Sequence, residues 1–153
     1  MTHLKEGDKA PGFTGTDQNG HKISLDDFKG QKVALYFYPE DDTPGCTTQA
    51  CNLRDHYPLL QQQGFVVLGV SPNNAESHQA FREKYSLPFA LLADLDHQII
   101  DLYGVWGDKQ MYGRTYQGLQ RTTFLIDATG MIRKIFLKPR NKQHAEDILK
   151  TSV

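Results

Sequence analysis

The chain has 153 residues, 39% of them hydrophobic, enough for one ordinary domain with a packed core that needs no disulfide staples. Lys and Arg number 17 against 18 Asp and Glu, for a formal net charge of −1, so there is no basic excess to suit a nucleic acid or an anionic membrane. No apolar run approaches the roughly 20 residues of a membrane span. Met1–Asp8 lacks the apolar stretch of a signal peptide, so the expected compartment is the cytoplasm, where thiols stay reduced.

In chain order, Phe13–Thr16 and Lys22–Ser24 flank Asn19-Gly20, a hairpin turn signal. Leu25–Gly30 reads as a short helical turn closed by glycine. Val33–Tyr38 and Phe65–Val70 are unbroken apolar runs of β-favouring residues, which suit central strands covered on both faces. The helical stretch between them, Thr47–Gln63, makes a β-α-β unit with parallel strands. Ser71–Asn74 predicts a turn and helix cap, with a helix to about Tyr85. Phe89–Ala93 predicts a short strand, and Leu95–Tyr103 a helix stopped by Gly104. Gly104–Gln120 reads as a long Gly- and Tyr-rich loop. Thr122–Asp127 and Met131–Phe136 flank Ala128-Thr129-Gly130 as an antiparallel hairpin, and Asn141 to about Lys150 closes the chain as a helix. The expected fold class is α/β, a mixed central sheet flanked by helices, in a single domain over 1–153.

The residue with the strongest chemical signal is Cys46, in Pro39-Glu40-Asp41-Asp42-Thr43-Pro44-Gly45-Cys46. With Thr43 as N-cap and Pro44 in the first helical position, the thiol falls in the first helical turn. There the dipole and unpaired N–H groups favour the reactive thiolate. At about 100° per residue, Cys46, Ala50, Leu53, Tyr57 and Leu60 share one apolar face, so Cys46 looks inward. The one other cysteine, Cys51, lies about 140° around the same helix, with its Cα roughly 8–9 Å away. A disulfide needs about 7 Å or less, so the two thiols join only if the first turns unwind. Pro58 is placed to kink or end the helix. Glu40, Asp41 and Asp42 oppose ionisation, and no Lys or Arg lies between Lys32 and Arg54. A cation must fold in from elsewhere, and Arg121, just ahead of a strand, is the candidate. Residue physics leaves two readings open: a small buried hydrophobe, the default for a lone cysteine, or a nucleophile.

The segment Phe37–Thr47 resembles the active-site motif of peroxiredoxins, Pro-x-x-x-Thr-x-x-Cys, and more narrowly the bacterioferritin comigratory protein or PrxQ subfamily. Gly7–Pro11 with Phe13, Cys46-x4-Cys51 with Leu53-Arg54-Asp55, Val70-Ser71, Tyr85–Phe89, Leu92–Asp94, Met111–Gly113 and Arg121–Asp127 carry the likeness over nearly the whole chain. The resemblance implies a thioredoxin-like fold with an N-terminal β-hairpin extension. It also implies thiol-dependent reduction of hydrogen peroxide and organic hydroperoxides, in antioxidant defence. Cys46 maps to the peroxidatic cysteine, which forms a sulfenic acid, and Cys51 to the resolving cysteine of an intramolecular disulfide. Pro39, Thr43 and Arg121 map to the residues that shape and polarise the peroxide site. Gln49 stands where many relatives have Glu and is placed to support the arginine; Glu40 stands where many have Lys. Thioredoxin or a related dithiol protein is the implied reductant, and the implied state is a monomer with no metal, flavin or haem.

Other signals carry less. The six histidines form no metal-like pair on one helix face with a cysteine, and surface or capping roles are expected for them. Asp94-Leu95-Asp96 reads as a strand-to-helix cap, Trp106 and Tyr112 either as lining a binding surface or as packing over the sheet edge, and Phe81 and Tyr85 as core. A redox sensor would use the same disulfide without turnover. A disulfide reductase lacks its Cys-x-x-Cys, and a Cys-His hydrolase lacks a histidine placed by sequence to serve Cys46.

Overall fold

A computed structural model describes Met1–Val153. Strand β3 (Lys32–Phe37) lies at the middle, because Val33-Ala34-Leu35-Tyr36-Phe37 is apolar on both sides and can be covered on both. Its neighbours are β4 (Phe65–Ser71), parallel to it, and β8 (Thr122–Ile126), antiparallel. Beyond β4 comes β5 (Ala90–Ala93), parallel, then the hairpin of β1 (Thr14–Thr16) and β2 (Lys22–Ser24); beyond β8 comes β9 (Ile132–Phe136). The result is one mixed seven-stranded sheet in the order β2-β1-β5-β4-β3-β8-β9.

The two-residue period of β3 sorts the core into two layers. Ala34, Tyr36 and Tyr38 pack with Cys46, Ala50, Leu53, Leu60, Phe81 and Ile148, under α1 (Pro44–Asp55), α2 (Tyr57–Gln62), α3 (Ala75–Tyr85) and α5 (His144–Leu149). Val33, Leu35 and Phe37 pack with Ile99, Ile100 and Tyr103 of α4 (Gln98–Tyr103) and with Phe13, Val70 and Phe124. Cys46 therefore sits within a layer of the core, at the end where β3 runs out.

Several boundaries differ from expectation for identifiable reasons. The helix predicted over Thr47–Gln63 is two, α1 and α2, broken at His56 just ahead of Pro58. The apolar stripe continues across the break, so burial of Leu53, Tyr57 and Leu60, each worth roughly 1.5–3 kcal/mol, keeps both pieces on the sheet. Helix α4 starts three residues later than predicted. Asp94 accepts the backbone N–H of Ile99 at 3.1 Å and Ile100 at 2.8 Å, so the cap lies upstream and His97 turns through φ 59° before the helix begins.

The loop predicted over Gly104–Gln120 is a two-stranded ribbon, β6 (Trp106–Met111) and β7 (Arg114–Leu119), hydrogen-bonded only to itself. Tyr112 and Gly113 both have positive φ, 53° and 77°, as a tight hairpin turn of primed type demands. The ribbon is mostly exposed on both faces, so it lacks the apolar alternation that marks a half-buried strand. Tyr112, with packing over the sheet edge as one of its two readings, is 98% exposed at the ribbon's tip and does not pack.

His144, expected at the surface or as a cap, is fully buried, with Nε2 2.8 Å from Thr123 Oγ1 and its ring edge-on to Phe136. Burial pushes its pKa down to about 4, against the usual 6.5. Between those values the unfolded chain binds a proton that the folded one refuses, so stability rises with pH across the window and falls on acidification from about pH 6.5. In urea titrations at pH 7 and pH 5, wild type is expected to be less stable at pH 5. His144→Gln should flatten that slope by up to about 1.4 kcal/mol per pH unit; an unchanged slope would place the titrating group elsewhere.

Candidate active site

Strand β3 delivers Tyr38 to the sheet's end, and Pro39–Thr43 turns the chain into α1. Pro44 and Gly45 open the helix, and Cys46 follows in its first turn, 1% exposed. Thr43 occupies the cap position with extended backbone, φ −93° and ψ 158°. Its side chain does not cap: the hydroxyl donates to Glu40 O at 2.9 Å. The first turn is closed by backbone, with Thr47 N–H donating to Thr43 O at 2.8 Å. A side-chain cap is worth about 1 kcal/mol, less than the buried face of α1 contributes, so the hydroxyl can be turned to another use without loss of the helix.

Arg121 lies between β7 and β8 and folds back over the helix start. Its Nη2 donates to Cys46 Sγ at 3.2 Å, and its Nη1 to Gln49 Oε1 at 2.5 Å. Cys46 and Gln49 are one turn apart on the same helix face, and Gln49 is fully buried. The guanidinium fork spans both, a geometry a point-charge ammonium cannot match. Gly45 sits in closer quarters with Asn141 than with the guanidinium. A Cβ there would stand 3.0 Å from Asn141 Nδ2 and 3.5 Å from Arg121 Nη2.

Two of the three acids ahead of Cys46 are taken up by partners. Asp42, at φ 56°, receives Lys84 Nζ and the Tyr85 hydroxyl, both at 2.7 Å, and these hydrogen bonds hold its carboxyl below the usual range. Asp41 receives the Tyr38 hydroxyl at 2.6 Å and the Ser77 hydroxyl at 2.8 Å, and lies 2.6 Å from His78 Nδ1. Burial pushes the Tyr38 hydroxyl well above the usual range, with Tyr36 and Asp41 adding to it, so Tyr38 remains a neutral donor. The charge opposing a thiolate is thus met from α3, leaving Arg121 to face the sulfur. Glu40 points outward and is exposed.

Cys51 is half-buried and lies off the Cys46 face; both cysteines are free. With α1 unbroken from Pro44 to Asp55, the helix geometry keeps the two Cα atoms roughly 8–9 Å apart. Pro39 is half-buried where the chain leaves β3. The structure therefore brings Cys46, Gln49 and Arg121 into contact, sets Thr43 one turn before Cys46, and holds Cys51 apart.

His78 escaped the sequence reading, which expected surface or capping histidines; it is fully buried under Asp41. Its spacing to Phe81 and Tyr85, i+3 and i+7 on one face of α3, was the signal that placed it inside. No group of three or more His, Cys, Asp or Glu is arranged to hold a metal ion.

Residues 6–135 match the AhpC/TSA family. A putative peroxiredoxin bcp of Coxiella burnetii is 47% identical over 146 residues, covering 95% of this chain and 97% of that protein. Peroxiredoxin Bcp of Escherichia coli is 47% identical over 149 residues, covering 97% and 96%. Among solved structures, a PrxQ mutant from Xylella fastidiosa superposes with a TM-score of 0.90 at 31% identity, covering 96% of this chain and 94% of that one. Peroxiredoxin Q of Xanthomonas campestris gives 0.84 at 31% identity, covering 90% and 87%.

Because Arg121 holds Cys46 and Gln49 at once, Arg121→Lys is expected to keep the charge and lose the fork. Alkylation of Cys46 by iodoacetamide, followed by mass spectrometry of its peptide, should slow roughly tenfold, while Cys51 is unaffected. Equal rates in the two proteins would show that the guanidinium contact does not govern the thiol.

Proposed function

The chain belongs to the AhpC/TSA family, among its Bcp and PrxQ peroxiredoxins, and on that footing we propose that Cys46 is the peroxidatic cysteine of a thiol-dependent peroxidase acting on hydrogen peroxide and organic hydroperoxides. The observation that carries the reading is the Arg121–Cys46 contact at 3.2 Å at the start of α1.

In this mechanism the Cys46 thiolate attacks one peroxide oxygen along the O–O axis. The S–O bond forms, the O–O bond breaks, and the sulfur is oxidised by two electrons to sulfenic acid as the peroxide is reduced to alcohol or water. Thr43 has already committed its proton to Glu40 O, so what its oxygen offers a hydroperoxide is an acceptor for the O–H. That fixes which end of the substrate meets the hydroxyl. Arg121 steadies the thiolate and stabilises charge developing on the leaving oxygen, and Gln49 steadies Arg121. Pro39, where the chain leaves β3, helps to exclude water.

Resolution needs movement. Cys51 reaches the Cys46 sulfur once the first turns of α1 fray; the S–S bond forms, the S–O bond breaks, and the oxygen leaves as water. The half-buried position of Cys51, off the packed face, supports this role: it can swing without emptying the core. Thioredoxin or a related dithiol protein then reduces the disulfide by exchange. All these groups come from one chain, which suits a single domain working as a monomer.

Peroxide consumption coupled to thioredoxin and its reductase tests the scheme. Cys46→Ser should abolish it. Cys51→Ser should reduce one equivalent of peroxide and leave a sulfenate that dimedone traps. Loss of that first turnover in Cys51→Ser would reverse the roles of the two cysteines, and disulfide formation without turnover in wild type would leave a sensor rather than an enzyme.

A further inference from the structure

The loop that presents Cys46 is tethered at two points to α3, and the inner tether is built unlike a surface contact. His78 is 0% exposed, and the side chain of Asp41 is 4% exposed. His78 Nε2 lies 2.9 Å from Leu92 O, which can only accept, so that nitrogen donates. Nδ1 meets Asp41 Oδ2 at 2.6 Å. The same carboxylate takes the Ser77 and Tyr38 hydroxyls, and the Asp41 backbone N–H donates to Asn73 Oδ1 at 3.0 Å. Four side chains from two stretches of chain thus converge on one loop residue that hydrogen-bonds neither Cys46 nor Arg121. The next residue, Asp42, sits at positive φ, a conformation disfavoured for a residue with a Cβ and held here by Lys84 and Tyr85.

We propose that Asp41 and His78 are a positioning pair that holds Pro39–Thr43 in the attacking arrangement and thereby sets how the Cys46 sulfenate divides between Cys51 and a second peroxide. This rests on the peroxidase reading above. While the loop is held, the first turn of α1 persists, the sulfenate stays beside Arg121, and a second hydroperoxide can convert it to sulfinate: a second S–O bond forms, the O–O bond breaks, and the sulfur loses two further electrons. When the loop loosens, the turn frays and Cys51 wins. The pair therefore favours the first attack and delays resolution, in opposite directions on two steps of one cycle.

His78→Phe removes both ring nitrogens at similar volume. It is expected to slow the first oxidation of Cys46 roughly fivefold and to raise by a similar factor the peroxide concentration at which half of Cys46 becomes sulfinic acid, read by mass spectrometry. Tyr38→Phe and Ser77→Ala, each losing one hydroxyl with little risk to folding, should shift both quantities the same way by less, and His78→Asn should recover part of the wild-type division. A merely structural role would lower active protein without moving the ratio. Amide exchange at Thr47 in the reduced proteins needs no peroxide and should quicken in the same order. Faster exchange with no peroxide turnover in wild type would keep the tether and remove the peroxidase reading. Unchanged exchange and an unchanged sulfinic division in folded Tyr38→Phe and His78→Phe would overturn the pair's role.

Discussion

Arg121 reaches Cys46 Sγ with one arm of its guanidinium and Gln49 Oε1 with the other, and that double contact sets a fixed cation against a buried thiol at a helix start. A helix start favours an anion, but its dipole is worth only about 0.3–1 kcal/mol at an exposed end. A fixed cation in a buried site contributes more, because little water screens it. The buried Gln49 and the strand junction at Arg121 are placed so that this one contact can be made.

The same site carries an opposing demand. On the proposed peroxidase reading, burial and fixed geometry favour attack by Cys46, whereas pairing with Cys51 requires the helix that fixes Cys46 to come apart. The fold accommodates both by dividing α1. Ala50 and Leu53 are packed into the core, while Cys51 lies off that face, Arg121 binds Cys46 and Gln49, and α5 binds Asn52 through polar contacts. Polar contacts of about 1 kcal/mol each can open and close; a buried apolar face opens only with the whole domain.

The acidic run Glu40-Asp41-Asp42 looked, in the linear sequence, like charge working against the thiolate. In the folded protein two of the three acids face away from the sulfur and bind α3, through His78 with Tyr38 and Ser77, and through Lys84 with Tyr85. They are anchors for the loop. The cation that the linear argument required for all of them is divided between α3 and Arg121.

What the sequence determined by itself was whatever rests on near neighbours. The continuous apolar runs that became β3 and β4, the Asn19-Gly20 hairpin, the inward face of α1 and the separation of Cys46 from Cys51 all follow from backbone period and residue type. The active-site motif and its family likeness were legible for the same reason: they are short strings. Tertiary structure alone decided what depends on distant partners. His144 was misread as a surface or capping group because its burial is set by the partner that meets it, and Thr123 lies far off in the chain. The β6-β7 ribbon was missed because its pairing, not a buried face, defines it. The hydroxyl of Thr43, read as a cap, accepts no N–H from the helix and donates instead to Glu40 O, a choice no local rule ranks. Arg121 could be named as a candidate, but its bidentate hold on Cys46 and Gln49 exists only because the sheet brings the β7-β8 junction over the start of α1.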